Sequence, residues 1–591
     1  MSGRRSNSVW SKFEKLETKS GKGCKARCRI CKKELQGLVA RMKVHLNKCC
    51  HENNTEEIEF QTTSSNIQFD VTKQPSESSV LAEKCYLNVS AKKSRTENIN
   101  NNGPINKNIS SGLLSHVVRT SQSQKAVFDE QIARMIFATN SSFQLVEHPE
   151  FQKLMLMLRP GYSGPTRKDV ADKLLTIVFD KEKGNVKNAL NGEIVNIALD
   201  GWSNVHKEPI ICVTVTTETS DVYLADTIDT SGSPHTSEYL EELAVSSIKN
   251  IELEFGCRVG SIVTDNAANV SKMRHNIESR SDIDVVTYGC SAHLMNLLAH
   301  DLEIDNVKDH IVNIVKYFRN HHFALAEYRK AGGQKLVLPQ DTRWNTMCDC
   351  LKLYIANWST LLKICESNRA IIDTTVQQNV SNLVIKRSAE DLLARLEPIA
   401  FALDKAQSDK CKNADVVEVW KNLENKLLCK SEKVIHNKFK KRYDKAVTPS
   451  HFLANLLHPH YQGRKLNEIE KNTALEYANL QYPHIIPTVM KFRGKSYPFL
   501  EFEFRLEVLT ELSSVQWWRS HRDNIESKTL NTILQLMTAV ASSAGVERVF
   551  SSYGLVHSKL RNRLGTEKAA KLVFLFKAIN QQKIIQFDVD D

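Results

Sequence analysis

Three things are missing from this 591-residue sequence, and each narrows what the chain can be. No apolar stretch of the secretory kind follows the opening residues MSGRRSNSVWSKFEK, so no leader is expected. No hydrophobic run is long enough to cross a bilayer; Leu572 to Phe576, among the longest, falls far short of about 20 residues. No internal repeat points to a solenoid or a propeller. A soluble, intracellular chain without a membrane partner is therefore expected. The remainder is ordinary globular composition, 41% hydrophobic and 25% charged. The length exceeds what one core supports, so three or four folding units are expected.

Charge is unevenly placed. Residues 1–50 hold 14 Lys/Arg and 3 Asp/Glu, nearly the whole of the chain's net +12. A basic arm of that density attracts phosphate backbones by releasing their counterions, although a solvated tail has the same composition. Five of the 14 cysteines fall between Cys24 and Cys50. In a large chain with no secretory signal, such clustering points to metal rather than disulfides. Cys28 and Cys31 form a C-x2-C knuckle, followed by His45 and Cys49, with Cys50 and His51 at the same end. A His and a thiolate one helical turn apart share a face and can complete a zinc tetrahedron. ELQGLVARMKVHLNKCC reads as that helix. Cys49 is the expected fourth ligand and Cys50 its competitor, since spacing does not separate them. With Trp10 and Phe13 upstream, the segment resembles a BED-type zinc finger, and Lys25, Arg27, Arg29, Lys32, Lys33, Arg41 and Lys43 suit DNA contacts.

Residues 56–112 are rich in Ser, Asn, Thr, Glu and Lys and read as a linker with too little apolar surface to order itself. Helical periodicity occupies residues 113–193, a candidate DNA-binding or assembly domain. β-rich runs follow at Ile194 to Leu199, Pro209 to Thr216 and Tyr223 to Ile228. A helix then places Tyr239, Leu240, Leu243, Ile248 and Ile251 on one face, and Val259 to Thr264 and Val285 to Tyr288 read as two more strands. Three strands, a helix, a strand, a helix and a strand predict a mixed α/β sheet within residues 194–300. Residues 301–495 read as all-helical and too long to be a loop, and residues 496–591 as helical again.

Asp200, in IALDGWSN, and Asp265, in SIVTDNAAN, close two of the apolar strands. Carboxylates at neighbouring strand ends can converge on one divalent ion of the kind phosphoryl-transfer nucleases use, although a lone strand-end Asp is more often a turn or cap residue. LDGWSN, VTDNAAN, YGCSAHLMNL, TRWN at Thr342 to Asn345, and ASSAGVERVFS at Ala541 to Ser551 occur in the order seen in hAT-superfamily transposases, which this chain resembles over roughly residues 1–55 and 190–585.

The resemblance implies an α+β multidomain protein. An N-terminal BED finger (1–55) would precede an RNase H-like domain interrupted by a helical insertion, and a C-terminal dimerisation region (496–591) would complete the fold. It implies Asp200, Asp265 and Glu547 as the catalytic carboxylates holding Mg²⁺ or Mn²⁺, with Zn²⁺ in the finger. Cys290 and His293 match the family's C-x2-H signature; no second pair lies nearby in sequence, which favours a supporting role over metal. Arg343 and Trp344 match its Arg-Trp pair, where the indole stacks on an extruded base. Arg548, beside Glu547, is a further candidate for DNA contact or support. Trp517, Trp518, Arg561 and the LVFLF helix resemble the dimerisation segment, although the proline usual after the Trp pair is missing around Leu530 to Leu534. Double-stranded DNA, a second copy of the chain and a nuclear location follow from the same resemblance. The expected activity is metal-dependent DNA cleavage and strand transfer. The alternatives are a domesticated zinc-finger regulator without catalysis and a free-standing RNase H-like nuclease, which leaves the finger unexplained.

Overall fold

The computed structural model describes residues 12–16, 25–36, 42, 45, 120–203, 206–304, 306–340, 344–428, 433–557 and 564–587. They fall into two units, Met1–Lys107 and Asn108–Asp591. In the first, β1 (Phe13–Leu16), β2 (Lys25–Cys28) and β3 (Glu34–Gln36) form an antiparallel sheet in that order. Phe13 pairs with Cys28 and both are buried with Ala26 and Met42, a core of very few side chains. β3 corrects the sequence reading, in which Glu34 opened a helix. Its residues carry helical periodicity, but hydrogen bonding to β2 claims their backbone, and pairing overrides a weak local preference. Met42 and His45 are helical.

The second unit is α+β and mostly helical around one mixed sheet. It opens with α1 (Gln122–Ala138), started by a Ser121/Gln124 capping box, and α2 (Lys173–Leu190). The sheet contains β4 (Ile194–Ser203), β5 (Pro209–Thr216), β6 (Val222–Asp229), β7 (Arg258–Thr264) and β8 (Val286–Gly289), in spatial order β6-β5-β4-β7-β8. β4–β5 and β5–β6 are antiparallel, while β4–β7 and β7–β8 are parallel. Parallel pairing requires crossovers, supplied by α3 (Ser237–Phe255) and α4 (Ala268–Glu278). Gly256 ends α3 at φ 69°, where a Cβ would also stand 2.5 Å from Asn191 Oδ1. β4 extends past Leu199 to Ser203 because Pro209 to Cys212 pair with its far end, so Asp200 lies inside the strand rather than closing it.

From α5 (Ser291–Asp301) the chain is helical. Of the later helices, α6 (Leu383–Gln407) packs on α5, and α7 (Asn413–Leu428) packs on α6 and on α8 (Pro449–Leu457). The chain then returns to the sheet: α9 (Ser527–Thr538) lies on β4 and β7, α10 (Ala544–Val556) on β4 and β5, and α11 (Thr566–Phe587) on β6. Their apolar faces, including Ile533, Met537, Val546, Val549, Val573 and Leu575, are buried there. The helical region is tied to this return. Asn413 donates its N–H to Ala539 O at 2.8 Å, and Ala541 donates to Cys411 O at 2.9 Å. Among the described residues no helix is long and apolar enough to cross a membrane.

Candidate active site and metal centre

Parallel register sets the site's position. Leu199 of β4 lies opposite Thr264 of β7, so Asp200 and Asp265, one residue further on each chain, are neighbours at the same end of the sheet. The Gly201 N–H donates to Asp200 Oδ1 at 2.8 Å. Asp265 turns its carboxylate back on its own chain, accepting from the Ala267 N–H at 3.2 Å. A cavity of about 180 Å³ opens beside the pair, with His235, Thr264, Asn269 and Met273 in its wall.

Glu547 arrives from the other end of the sequence. Trp202 follows Asp200 by two residues and therefore leaves the strand on the same face. It stacks on Phe550 of α10, ring centroids 5.9 Å apart, and lies 5.6 Å from Tyr553. Glu547 precedes Phe550 by three residues, close to one helical turn, and is exposed while Val546 and Val549 are buried. Arg548 pairs with Asp409 and donates to Gln407 O at 3.2 Å, while Ser542 donates to Ala406 O at 2.8 Å. These contacts hold the start of α10 to the end of α6.

The electrostatics register the approach of the three acids. The Asp200 carboxyl is pushed up to about 7, first by burial, then by the charge of Asp265, with Glu547 adding to it; the Gly201 N–H pulls the other way. Cys212, opposite Asp200 on β5, is pushed up to about 12 by burial and by the charges of Asp200 and Asp226. Repulsion of this kind is what a divalent cation relieves, so the donor set fits a hard, oxygen-seeking ion. The three carboxylates are nevertheless looser than a finished metal cage. Among the described residues, the only group of three or more metal-ligating side chains with ligand atoms within 4.8 Å of one another is Cys28, Cys31 and His45.

That Cys/His group is compact. Cys31 Sγ lies 3.1 Å from His45 Nε2. Cys28 is drawn down to about 7: backbone N–H groups of Cys31 and Ile30 and the His45 and Cys31 side chains outweigh its burial. A thiol already biased to thiolate in a C-x2-C turn suits zinc. The turn is closed by the Lys32 N–H to Cys28 O and the Cys28 N–H to Lys33 O, both 3.0 Å, with Lys32 at φ 64°. Cys49 and Cys50 lie outside the described residues, as does Arg343. Trp344 begins the helix Trp344–Ser367, its side chain outside them.

Cys290 and His293 diverge. Cys290 is buried at the start of α5 and burial pushes its thiol up, whereas His293 is exposed. The Cys290 N–H donates to Thr264 O at 2.7 Å, and its carbonyl accepts from Asn266 Nδ2 at 2.9 Å, which fastens the Asp265 turn to α5. Gly289 makes that possible, because a Cβ there would lie 1.9 Å from Asn266 Oδ1. Sequence reasoning missed Arg274 and His235. Arg274, half-buried on α4, donates to Asp265 O at 2.6 Å. His235 bonds Thr230 Oγ1 at 2.8 Å and accepts at its carbonyl from Asn269 Nδ2 at 2.9 Å. Asn269 stood in the VTDNAAN motif; a single loop histidine gave no signal.

Residues 497–579 match the hAT family C-terminal dimerisation region, which supports self-association. The chain is also 26% identical over 209 residues to a Talaromyces stipitatus protein named "Putative transcriptional regulator tpeD". That match covers 33% of this chain, and the chain spans about 24% of the relative's length.

Proposed function

We propose that the chain is a self-associating, DNA-binding protein of the hAT superfamily that cleaves and joins DNA strands at Asp200, Asp265 and Glu547. The observation that carries this reading is the approach of three carboxylates, distant in sequence, to one end of one sheet, registered in the raised Asp200 carboxyl. The strand order, antiparallel on one side of β4 and parallel on the other, supports an RNase H-like domain interrupted by the helical region. The match over residues 497–579 supports the family.

In this reading Asp200, Asp265 and Glu547 would hold Mg²⁺ or Mn²⁺, which supplies charge neutralisation at the scissile phosphate and a more acidic water. The chain's own part is positioning. The Gly201 N–H and the Asp265 turn aim two carboxylates, Arg274 holds the backbone of that turn, and Trp202 with the Arg548–Asp409 pair sets the height of Glu547. Cys28, Cys31, His45 and Cys49, or Cys50 in its place, would hold zinc and order the basic N-terminal segment as the DNA reader. Trp344 would stack on a base displaced during cleavage. The nucleus is the matching location.

A second reading, a domesticated DNA-bound regulator without catalysis, is favoured by the name of the T. stipitatus relative. Cleavage of DNA from the ends flanking the gene, by the purified zinc-loaded chain with Mg²⁺ or Mn²⁺, separates the two. Metal-dependent nicks and joined products support the enzyme. Specific binding without cleavage in either metal supports the regulator.

A further inference from the structure

We infer that the second unit carries a phosphate track of its own: Arg274 and Lys445 hold a DNA backbone phosphate beside the Asp265 turn, and the helix Lys433–Ala446 carries the backbone onwards. The inference rests on the DNA-handling reading proposed above and goes beyond it by placing DNA on the second unit.

Charge sets this helix apart. Residues 1–50 account for 11 of the chain's net +12, so the rest is nearly neutral. Against that background Lys433–Ala446 holds six cations, Lys433, Lys438, Lys440, Lys441, Arg442 and Lys445, and a single acid, Asp444. Ile435, Phe439, Tyr443 and Ala446 are buried, which turns the opposite face to solvent. Arg442 pairs with Asp301 and Lys440 with Asp444, while Lys438 donates to Asp301 O. Lys433, Lys441 and Lys445 are exposed and form no ion pair among the described residues.

A row of lysines alone is usually a solvated face. Here it ends in a cavity of about 520 Å³, which Lys445 and Thr448 share with Asn266, Arg274, His275 and Gly289. Arg274 is half-buried there, and its Nη1 donates to Thr264 Oγ1 and to Asp265 O, both uncharged acceptors. It forms no ion pair among the described residues. The acid in the same wall, Glu278, is exposed and accepts from Thr287 Oγ1 at 2.8 Å. A half-buried guanidinium facing uncharged acceptors has lost water without gaining a counter-charge, and an anion entering the cavity supplies one. Its Nε and Nη2, which have no partner among the described residues, suit two oxygens of a phosphate.

Length selects a polymer over a free ion. From Lys445 through Lys441 to Lys433 the unpaired lysines follow about 18 Å of helix. One phosphate fills one cavity, whereas a DNA backbone repeats its charge along such a row. The same guanidinium holds the Asp265 carbonyl, so DNA on the track also firms the turn that aims this carboxylate.

The test is fluorescence anisotropy of the full-length, zinc-loaded chain with a long duplex of random sequence at several salt concentrations. Lys433→Gln, Lys441→Gln and Lys445→Gln together should lower the slope of log affinity against log salt by about two to three, and weaken low-salt binding about tenfold or more. All three side chains are exposed, so the melting temperature should be kept. Lys363→Gln, Lys410→Gln and Lys528→Gln, which remove the same charge from other exposed positions, should change the slope less. Inorganic phosphate, replacing chloride at constant ionic strength, should displace the duplex no better from the wild type than from Arg274→Lys. Wild-type affinity and slope in the first triple variant, or an equal loss in the second, overturn the track alone, whatever cleavage shows. Displacement by phosphate that needs Arg274 makes the cavity a free-ion site and overturns the track as well. A track-dependent slope in a chain that cleaves with neither metal overturns the catalytic reading and leaves the track standing.

Discussion

With its carboxyl pushed up to about 7, Asp200 keeps its proton in the folded chain across a range in which the unfolded chain, near its ordinary value of 3.8, has lost it. The folded state binds more protons through that window, so the group's contribution to stability falls as pH rises from about 4 to about 7 and is level above. Each pKa unit corresponds to about 1.4 kcal/mol. Asp200→Asn should therefore melt about 2 °C or more above the wild type at pH 8 in chelator, and the gap should close towards pH 4. Saturating Mg²⁺ should narrow it as well, by stabilising the wild type alone. Differential scanning fluorimetry across pH checks the sign; a variant less stable than wild type at pH 8 would mean that burial and the neighbouring acids do not penalise the Asp200 charge in the folded chain. In the first unit, the grouping of Cys28 and Cys31 with His45 was legible from their spacing. Zinc removal should unfold the segment around them, whose buried side chains are few. Circular dichroism of residues 1–55 before and after chelation reads this directly, and an unchanged spectrum would contradict it. Cys49→Ser should lower zinc affinity more than Cys50→Ser, and the reverse order would move the ligand role to Cys50.

Between strand and helix, the contact that matters most is Trp202 against Phe550 and Tyr553. Trp202→Ala should destabilise the second unit by about 2–4 kcal/mol and free α10 to drift, lowering any cleavage more than DNA affinity. Gly289→Ala should cost stability for another reason, since Asn266 must leave its bond to Cys290 to admit the new methyl group. Thermal melts and limited proteolysis at the α10 junction report both; a Trp202→Ala protein with wild-type melting and protease resistance would show that the ring carries no such load. The order of sheet elements was readable because each strand is a short apolar run bounded by turn residues. The length of β4 was not, since Asp200 and Gly201 break its apolar run and the residues beyond Leu199 are held by β5. β3 was unreadable for the same reason: a three-residue strand carries no periodicity of its own, and only β2 defines it.

Across the whole molecule, sequence-local patterns marked Asp200 and Asp265 only as strand-end acids, and the resemblance alone joined them with Glu547 as one set. Its helix lies far downstream of Asp265, and no spacing rule spans the intervening helices. The contacts that fasten it, Arg548 to Asp409 and Ser542 to Ala406, join parts of the chain that no sequence window contains. The charge distribution, in contrast, is plain in the sequence and belongs to the first unit, where residues 1–50 hold nearly all the excess. Deleting residues 1–55 should abolish specific DNA binding and flatten the salt dependence of what remains, as read by fluorescence anisotropy at several salt concentrations. Equal affinity and slope without the finger would move DNA recognition to the second unit. The central claim is that Asp200, Asp265 and Glu547 act as one metal site, and Mn²⁺ titration by calorimetry tests it most directly, using the full-length zinc-loaded chain at pH 8. Wild type should bind Mn²⁺, and Asp200→Asn, Asp265→Asn and Glu547→Gln should each weaken binding about tenfold or more, with melting behaviour that shows the fold intact. Wild-type Mn²⁺ affinity in Glu547→Gln would contradict the claim.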